Sequence, residues 1–400
     1  MAVELLLKNH LKKNKFFNKN LVSISKIFEG VAQEINNPKK TLNVLSKKFK
    51  LNFNINDLNN FKKFKTISII GMGGSILGSE AIYGFLKHKI KKKIYFFNDL
   101  NEAKIIDFKK QEKINKTLFI IISKSGNTIE TLSNTFAFEL IKKNAKNIII
   151  ISERKNNLLF GLSKKFNLFY VEHKNYIGGR YSVLSEVGVL PAYLMGINIS
   201  KLRAKLLTFL IGKNQKFLKE SSNLLSIYLN SKKLNNLIFL NYAPELEKFL
   251  FWCQQLIAES LGKKNKGFLP VISNVPKDHH SLLQLYLDGP KDKIFYIFSI
   301  NTKSKINIKF SNNIDKKHYL NKKTINSVKN AQKKALIKSL IKNNISFREF
   351  ELNKVSEDNL GKIFSYFILE TVIVGRASKL NPFDQPAVEK VKLYTKQFLS

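Results

Sequence analysis

Short apolar runs alternate with longer amphipathic stretches along most of this chain, and the pattern sets in near residue 66. Thr66-Ile67-Ser68-Ile69-Ile70 is a β-branched run closed by Gly71, as expected of a strand buried on both faces. A helix is predicted over 75–87, strands at 93–97 and 117–122, and a helix over 128–142. Strands at 147–152 and 168–172 follow. A helix over 182–195 comes next, with Leu184, Val187, Leu190 and Leu194 near helical spacing. Strands separated by helices point to α/β architecture with a doubly wound parallel sheet.

The alternation then restarts. Residues 199–230 read as amphipathic helix without a strand, 237–241 as a strand and 245–261 as a helix. Further strands are expected at 268–272, 293–300 and 346–352, with helices over 332–341 and 357–374. The second half is therefore expected to form another α/β unit. Residues 1–50 read as a lysine-rich helical lead-in.

Composition narrows the class. With 44% hydrophobic and 12% aromatic residues over 400 positions, a disordered or collagen-like chain is excluded, and two or three domains are expected. A single cysteine, Cys253, excludes a disulfide framework and a cysteine-based zinc module and fits a reducing compartment. No uncharged run reaches the ~20 residues of a membrane span, and Met1-Ala2-Val3-Glu4 lacks the layout of a signal peptide. A cytoplasmic location without membrane association is expected.

The formal net charge of +40 raises the question of a polyanionic partner. The residue types argue against it. Of 69 basic residues only Arg154, Arg180, Arg203, Arg348 and Arg376 are arginine, and the lysines are scattered. A nucleic-acid surface would favour arginine and gather its charge on one face. Lysine, asparagine, isoleucine and phenylalanine share A/T-rich codons, so compositional drift on solvated faces is the expectation, with no specific nucleic-acid partner.

Two loops carry candidate chemistry. Gly71-Met72-Gly73-Gly74-Ser75-Ile76-Leu77-Gly78 joins a strand to a helix, where glycines admit an anion to the backbone and the helix start offers free N–H groups. It matches neither the dinucleotide fingerprint, since position 76 is isoleucine, nor a Walker A loop, and a structural glycine turn is the competing reading. Ser123-Lys124-Ser125-Gly126-Asn127-Thr128 places three hydroxyls, a glycine and a helix start within six residues. That suits a phosphate monoester, with an ordinary helix cap as the alternative. Both loops leave the carboxyl ends of predicted strands, where open α/β sheets bind ligands.

At these residues a family becomes visible. Ser123-Lys124-Ser125-Gly126-Asn127-Thr128-Ile129-Glu130-Thr131 resembles the phosphate loop of the sugar-isomerase (SIS) domain. Gly178-Gly179-Arg180-Tyr181-Ser182-Val183-Leu184-Ser185-Glu186-Val187-Gly188 and Asn381-Pro382-Phe383-Asp384-Gln385-Pro386-Ala387-Val388-Glu389 resemble signatures of the glucose-6-phosphate isomerase family, in its compact bacterial type. The resemblance implies two doubly wound, flavodoxin-like SIS domains, at 51–225 (with the phosphate loop) and 226–375. A helical segment would precede them at 1–50, and an active-site segment and helix would follow at 376–400. It implies interconversion of glucose 6-phosphate and fructose 6-phosphate through a cis-enediolate, a homodimer, and no metal or organic cofactor.

Such an isomerisation needs a phosphate anchor, an acid–base group to open the ring, one base to carry a proton between C1 and C2, and a cation or donor for the enediolate. The resemblance makes Glu259, in Ala258-Glu259-Ser260-Leu261-Gly262-Lys263, the proton carrier. It makes His280, which has the family's spacing to Gln284-Leu285, the ring-opening group, delivered from the other subunit. Arg180 would stabilise the enediolate, and Lys392, seven residues after Gln385, would assist ring opening. Gln385 would contact the substrate, Ser123, Lys124, Ser125 and Thr128 the phosphate, and Gly74 and Ser75 the sugar end. His279 has no assigned role. Asn127, Leu261 and Ala387 depart from the commonest family residues. Two rival readings remain: a related SIS isomerase acting on mannose 6-phosphate or another sugar phosphate, and a non-catalytic sugar-phosphate sensor.

Overall fold

The computed structural model describes residues 5–10, 17–302, 304, 306–310 and 317–400; of Leu5, Leu6 and Lys19 the backbone alone is described. Strand β1 (Leu5–Asn9) and helix α1 (Phe17–Ile35) come first. A regular alternation follows: β2 (Thr66–Gly71), α2 (Leu77–Leu86), β3 (Lys93–Phe97), α3 (Glu102–Gln111), β4 (Thr117–Ile122), α4 (Ile129–Ala137), β5 (Ile148–Ser152), α5 (Leu158–Lys165) and β6 (Phe169–Glu172). Helices α6 (Glu186–Leu194), α7 (Ile199–Arg203) and α8 (Gly212–Ser231) lead into the second half. That half comprises β7 (Asn236–Asn241), α9 (Glu247–Leu261), β8 (Leu269–Asn274), α10 (His279–Asp288), β9 (Lys293–Ile300), α11 (Ile325–Lys342), β10 (Phe347–Leu352) and α12 (Glu357–Ala377), with α13 (Glu389–Leu399) at the end.

The first sheet has the order β3-β2-β4-β5-β6 with every pair parallel. Its central strands β2, β4 and β5 are buried along their whole length, and Ile148 to Ile151 puts four consecutive isoleucines between the helical layers. β-Branched side chains pack well on such a two-sided surface. The second sheet has the order β8-β7-β9-β10-β1. Counted within each half, both sheets place the second strand first, then the first, third and fourth, the flavodoxin-like order. The expected doubly wound pair of parallel sheets is the architecture found.

The start of the chain corrects the sequence reading. Leu5–Asn9, expected within a helical lead-in, is a strand that runs antiparallel along β10, with Leu7 opposite Phe350. It fills the fifth place of the second sheet, and its structure is dictated by an open sheet edge more than 300 positions away rather than by local pattern. Helix α4 also ends earlier than the expected residue 142, because Glu139 turns into the left-handed region at φ 54°. Helices α3, α5 and α10 were not foreseen.

The halves meet where α2 packs on α9, Gly84 of α2 bringing the helix against the Lys248 side chain of α9. Helix α12 is buried on all sides from Asn359 to Gly375 and is the central core element. Its Glu370, 1% exposed, pairs with the fully buried Arg348 at 2.6 Å and accepts from Tyr366 and Ser221 at 2.9 and 3.0 Å. These bonds offset the cost of taking two charges out of water. No helix among the described residues is long and apolar enough to cross a membrane.

Candidate active site

Strands β2 and β4 are neighbours, with Gly71 opposite Ile122, so the two candidate loops emerge side by side at the carboxyl edge of the first sheet. In the second loop Ser123 is buried. Its Oγ lies 2.8 Å from Thr128 Oγ1 and accepts the Gly126 N–H at 3.1 Å. Ser125 Oγ accepts the Asn127 N–H at 3.2 Å and lies 3.4 Å from Thr128 Oγ1. Three hydroxyls thus converge at the start of α4, whose first-turn amides lack intrahelical acceptors. Gly126 holds φ +69°, and a Cβ there would lie 1.8 Å from Asn157 Oδ1. The Lys124 side chain is turned to the Asn175 carbonyl (2.8 Å) and Glu153 (3.5 Å), and burial lowers its pKa. Behind it His173 is buried, and desolvation lowers its pKa to about 4.

The first loop is pressed against a third one. Residues Gly179–Leu184 form a short 3-10 turn, and a Cβ on Gly74 would fall 2.1 Å from the Gly179 carbonyl carbon and 2.4 Å from the Arg180 nitrogen. Glycine at 74 is therefore needed for close approach, beyond any role toward an anion. Ser75 is nearly buried, its N–H held by the Met72 carbonyl.

Arg180, only 2% exposed, spends all five N–H donors. Nε donates to Ser260 Oγ at 2.8 Å, and Nη1 to Glu259 Oε2 at 3.0 Å and to Gln385 Oε1. Nη2 donates to the Pro382 carbonyl at 2.7 Å and the Asp384 carbonyl at 3.0 Å. The planar fork thus ties a first-half turn to the end of α9 and to the segment 381–385, which a lysine could not do. Glu259 is about a third exposed, so its pair with Arg180 sits at the rim of the cluster rather than in the core.

Three residues that sequence reasoning passed over complete the arrangement. Gln255, one turn before Glu259, donates to Glu259 Oε1 at 2.9 Å, and its own Oε1 is buried without a partner. A Cβ on Gly73 would lie 2.7 Å from Gln255 Nε2, so this amide also borders the first loop. Tyr181 donates to the Pro382 carbonyl at 2.8 Å and accepts a hydrogen bond from the Ser260 hydroxyl at 2.8 Å. Lys263 donates to Asp384 Oδ1 at 2.6 Å and to the Asn381 carbonyl. Only the i, i+4 position of Gln255 on a helix carrying Glu259 signalled any of these in advance.

The chain brings together Gly74, Ser75, Ser123, Ser125, Thr128, Arg180, Glu259 and Gln385 around these loops. His280 and Lys392 are not joined to the cluster within the chain. His280 stands exposed on the first turn of α10, while its neighbour His279 is held by Tyr242 Oη at 3.1 Å. Lys392 pairs with Glu389 at 2.7 Å on α13, a helix with no buried residue. No group of three or more His, Cys, Asp or Glu side chains converges as a metal would require, among the described residues.

The architecture recurs in known structures. A hypothetical protein of Thermus thermophilus superposes with a TM-score of 0.84 over 99% of this chain and all of its own, at 22% identity. A glucose-6-phosphate isomerase of Chlamydia trachomatis gives 0.77 over the whole chain and 89% of its own length, at 16% identity. The fold defines an α/β protein of two parallel-sheet halves. The sequence pattern of the phosphoglucose isomerase family extends over residues 24–400, and the chain belongs to that family. A probable glucose-6-phosphate isomerase of Methanococcus maripaludis is 33% identical over 388 residues, covering 91% of this chain and 85% of its own. The glucose-6-phosphate isomerase of Methanocaldococcus jannaschii is 32% identical over 85% of each.

Proposed function

We infer that the chain interconverts glucose 6-phosphate and fructose 6-phosphate, as a soluble cytoplasmic enzyme of the glycolytic and gluconeogenic route. The observation that carries this reading is the Arg180–Glu259 pair beside a hydroxyl-lined helix start, in a chain of the phosphoglucose isomerase family. The phosphate dianion sits against Ser123, Ser125, Thr128 and the first turn of α4. Lys124 lends its backbone there, since its ammonium is occupied by Glu153 and the Asn175 carbonyl. Gly74 and Ser75 border the sugar.

Glu259 takes the proton from C2 of the open-chain aldose and returns it to C1, the electron pair passing through the cis-enediolate. A carboxylate suits both steps because it accepts and gives back one proton on one face. Both Nη1 hydrogens of Arg180 are engaged, by Glu259 and by exposed Gln385, and exchange of the Gln385 bond for the substrate frees one of them for the enediolate oxygen. Gln255 fixes the other oxygen of Glu259, so the carboxylate is aimed rather than free to rotate.

Ring opening is assigned to His280 of a second copy and to Lys392. Exposed His280, with exposed Leu285 on α10 and exposed Leu269 on the edge strand β8, fits a homodimer face. Docking of α13, whose Val391, Leu393, Tyr394 and Phe398 are all exposed, would carry Lys392 to the cleft.

A coupled spectrophotometric assay on the purified dimer tests the reading, with mannose 6-phosphate as the comparison substrate. Turnover of glucose and fructose 6-phosphates above that of mannose 6-phosphate supports it. Binding of both without turnover makes the chain a sensor, and faster turnover of mannose 6-phosphate makes it a different isomerase.

A further inference from the structure

We propose that a cavity at the amino-terminal edge of the second sheet is an effector site for a small organic anion bearing an apolar ring or chain. The loop between α9 and β8 couples it to the Arg180–Glu259 cluster. The cavity, about 830 Å³, lies between the end of α8 and the starts of β9 and β10. That size matches small-molecule sites. Its floor is Ile227, Leu234, Phe295 and Ile345, and Lys233 and Lys291 stand on its rim. No carboxylate lines it; the neighbouring Asp292 is already held by Lys293 and Asn236. An apolar floor under lysines selects an acid group joined to an apolar body.

One loop touches both sites. Asn230, on the cavity wall, accepts from Lys266 Nζ at 2.7 Å, and the same ammonium donates to the Ser378 carbonyl at 3.0 Å. Lys266 and Lys263 are bridged backbone to backbone at 2.9 and 3.0 Å, around a turn whose two central residues, Lys264 and Asn265, both have positive φ. Lys263 holds Asp384, and the Asp384 carbonyl accepts from Arg180. Every step from the cavity wall to Arg180 is a bond of 3.0 Å or less or a chain neighbour. Asn230 lines the cavity and Lys266 lies behind it, so an acid group that accepts from the Asn230 amide nitrogen turns that amide and takes its Oδ1 from Lys266. The turn shifts with Lys266, and the grip of Lys263 on residues 381–384 loosens. Turnover then falls while the affinity for the sugar phosphate, set at the 123–128 loop, is kept.

The turnover arm of this inference rests on the isomerase reading; the binding arm does not. The probe is 8-anilinonaphthalene-1-sulfonate, an apolar sulfonate that fluoresces on entering such a cavity, titrated into the full chain. The expected result is saturable binding that saturating fructose 6-phosphate does not displace. Lys233→Ala with Lys291→Ala raises its Kd about five- to tenfold, and Ile345→Trp, which fills the floor, abolishes it. The dye lowers kcat at constant KM in the wild type, and Lys266→Met keeps binding but loses the inhibition. Displacement by fructose 6-phosphate, or equal binding to Ile345→Trp, overturns the site. Binding there without any change in kcat overturns the coupling. Dye binding at this site in a protein with no isomerase turnover sinks the isomerase reading and leaves the site standing.

Discussion

Replacing Arg180 with lysine probes the point where three parts of the chain are tied together. The guanidinium serves Ser260, Glu259, Gln385, Pro382 and Asp384 with five N–H groups from a planar fork. A lysine offers three donors from a single nitrogen, so at least two acceptors lose their partner. Each buried acceptor left dry costs about 1–3 kcal/mol. Ser260 and the Pro382 carbonyl keep Tyr181 as a partner, and Gln385 is exposed, so the lower part of that range applies. The expected loss of stability is about 2–3 kcal/mol, or about 2–4 °C in thermal midpoint for a chain of this length. Activity should fall further than stability, because the same fork holds Glu259 and Gln385, the proposed proton carrier and substrate contact. A loss of about 10²–10³ in kcat is expected, with KM for fructose 6-phosphate changed much less. Differential scanning fluorimetry and the coupled assay read the two effects on the same sample. A midpoint within about 1 °C of wild type together with kcat within about threefold would refute the reasoning.

Three further outcomes are expected. Gly74→Ala forces a Cβ to 2.1 Å from the Gly179 carbonyl carbon, so the turn carrying Arg180 must move. Its kcat should drop about tenfold or more, with a lower thermal midpoint, and neither changes if the loops can part freely. His173 titrates near 4 in the folded chain against 6.5 unfolded, so between those values the unfolded state binds the extra proton. Stability should fall as pH is lowered from 6.5 to 4, by at most about 3 kcal/mol, and urea titrations of His173→Asn should show a correspondingly flatter pH dependence. Mixing Glu259→Gln and His280→Ala chains should restore about a quarter of native activity, because half the dimers are mixed and each has one intact site. No recovery after subunit exchange would mean that both residues act within one chain.

The sheets were legible because their strands are locally unambiguous. Thr117–Ile122 and Ile148–Ser152 are unbroken apolar β-branched runs, and burial on both faces permits nothing else at that length. Leu5–Asn9 was not legible, since an edge strand takes its structure from the partner it finds. Helices α3 and α5 were obscured by lysine and phenylalanine positions that suit a solvated helix and a loop alike. At the site, Arg180 and Glu259 stood out through motifs contiguous in sequence. Tyr181 and Lys263 sit inside or beside the same motifs, but their work is to hold residues 381–384 about 120 to 200 positions away, and spacing carries no trace of that. His280 and Lys392 were legible as residues and not as geometry, because in one chain they lie on exposed helices away from the Arg180 cluster.

The central claim is that Glu259 carries the proton in a sugar-phosphate isomerisation. The most direct measurement follows deuterium entry at C2 of glucose 6-phosphate, starting from fructose 6-phosphate in D2O, for the wild type and Glu259→Gln. The wild type should incorporate deuterium as it turns over. Glu259→Gln should bind the sugar phosphate with similar affinity while losing both turnover and exchange by a factor on the order of 10³ or more. Exchange and turnover near wild type in Glu259→Gln would contradict the account.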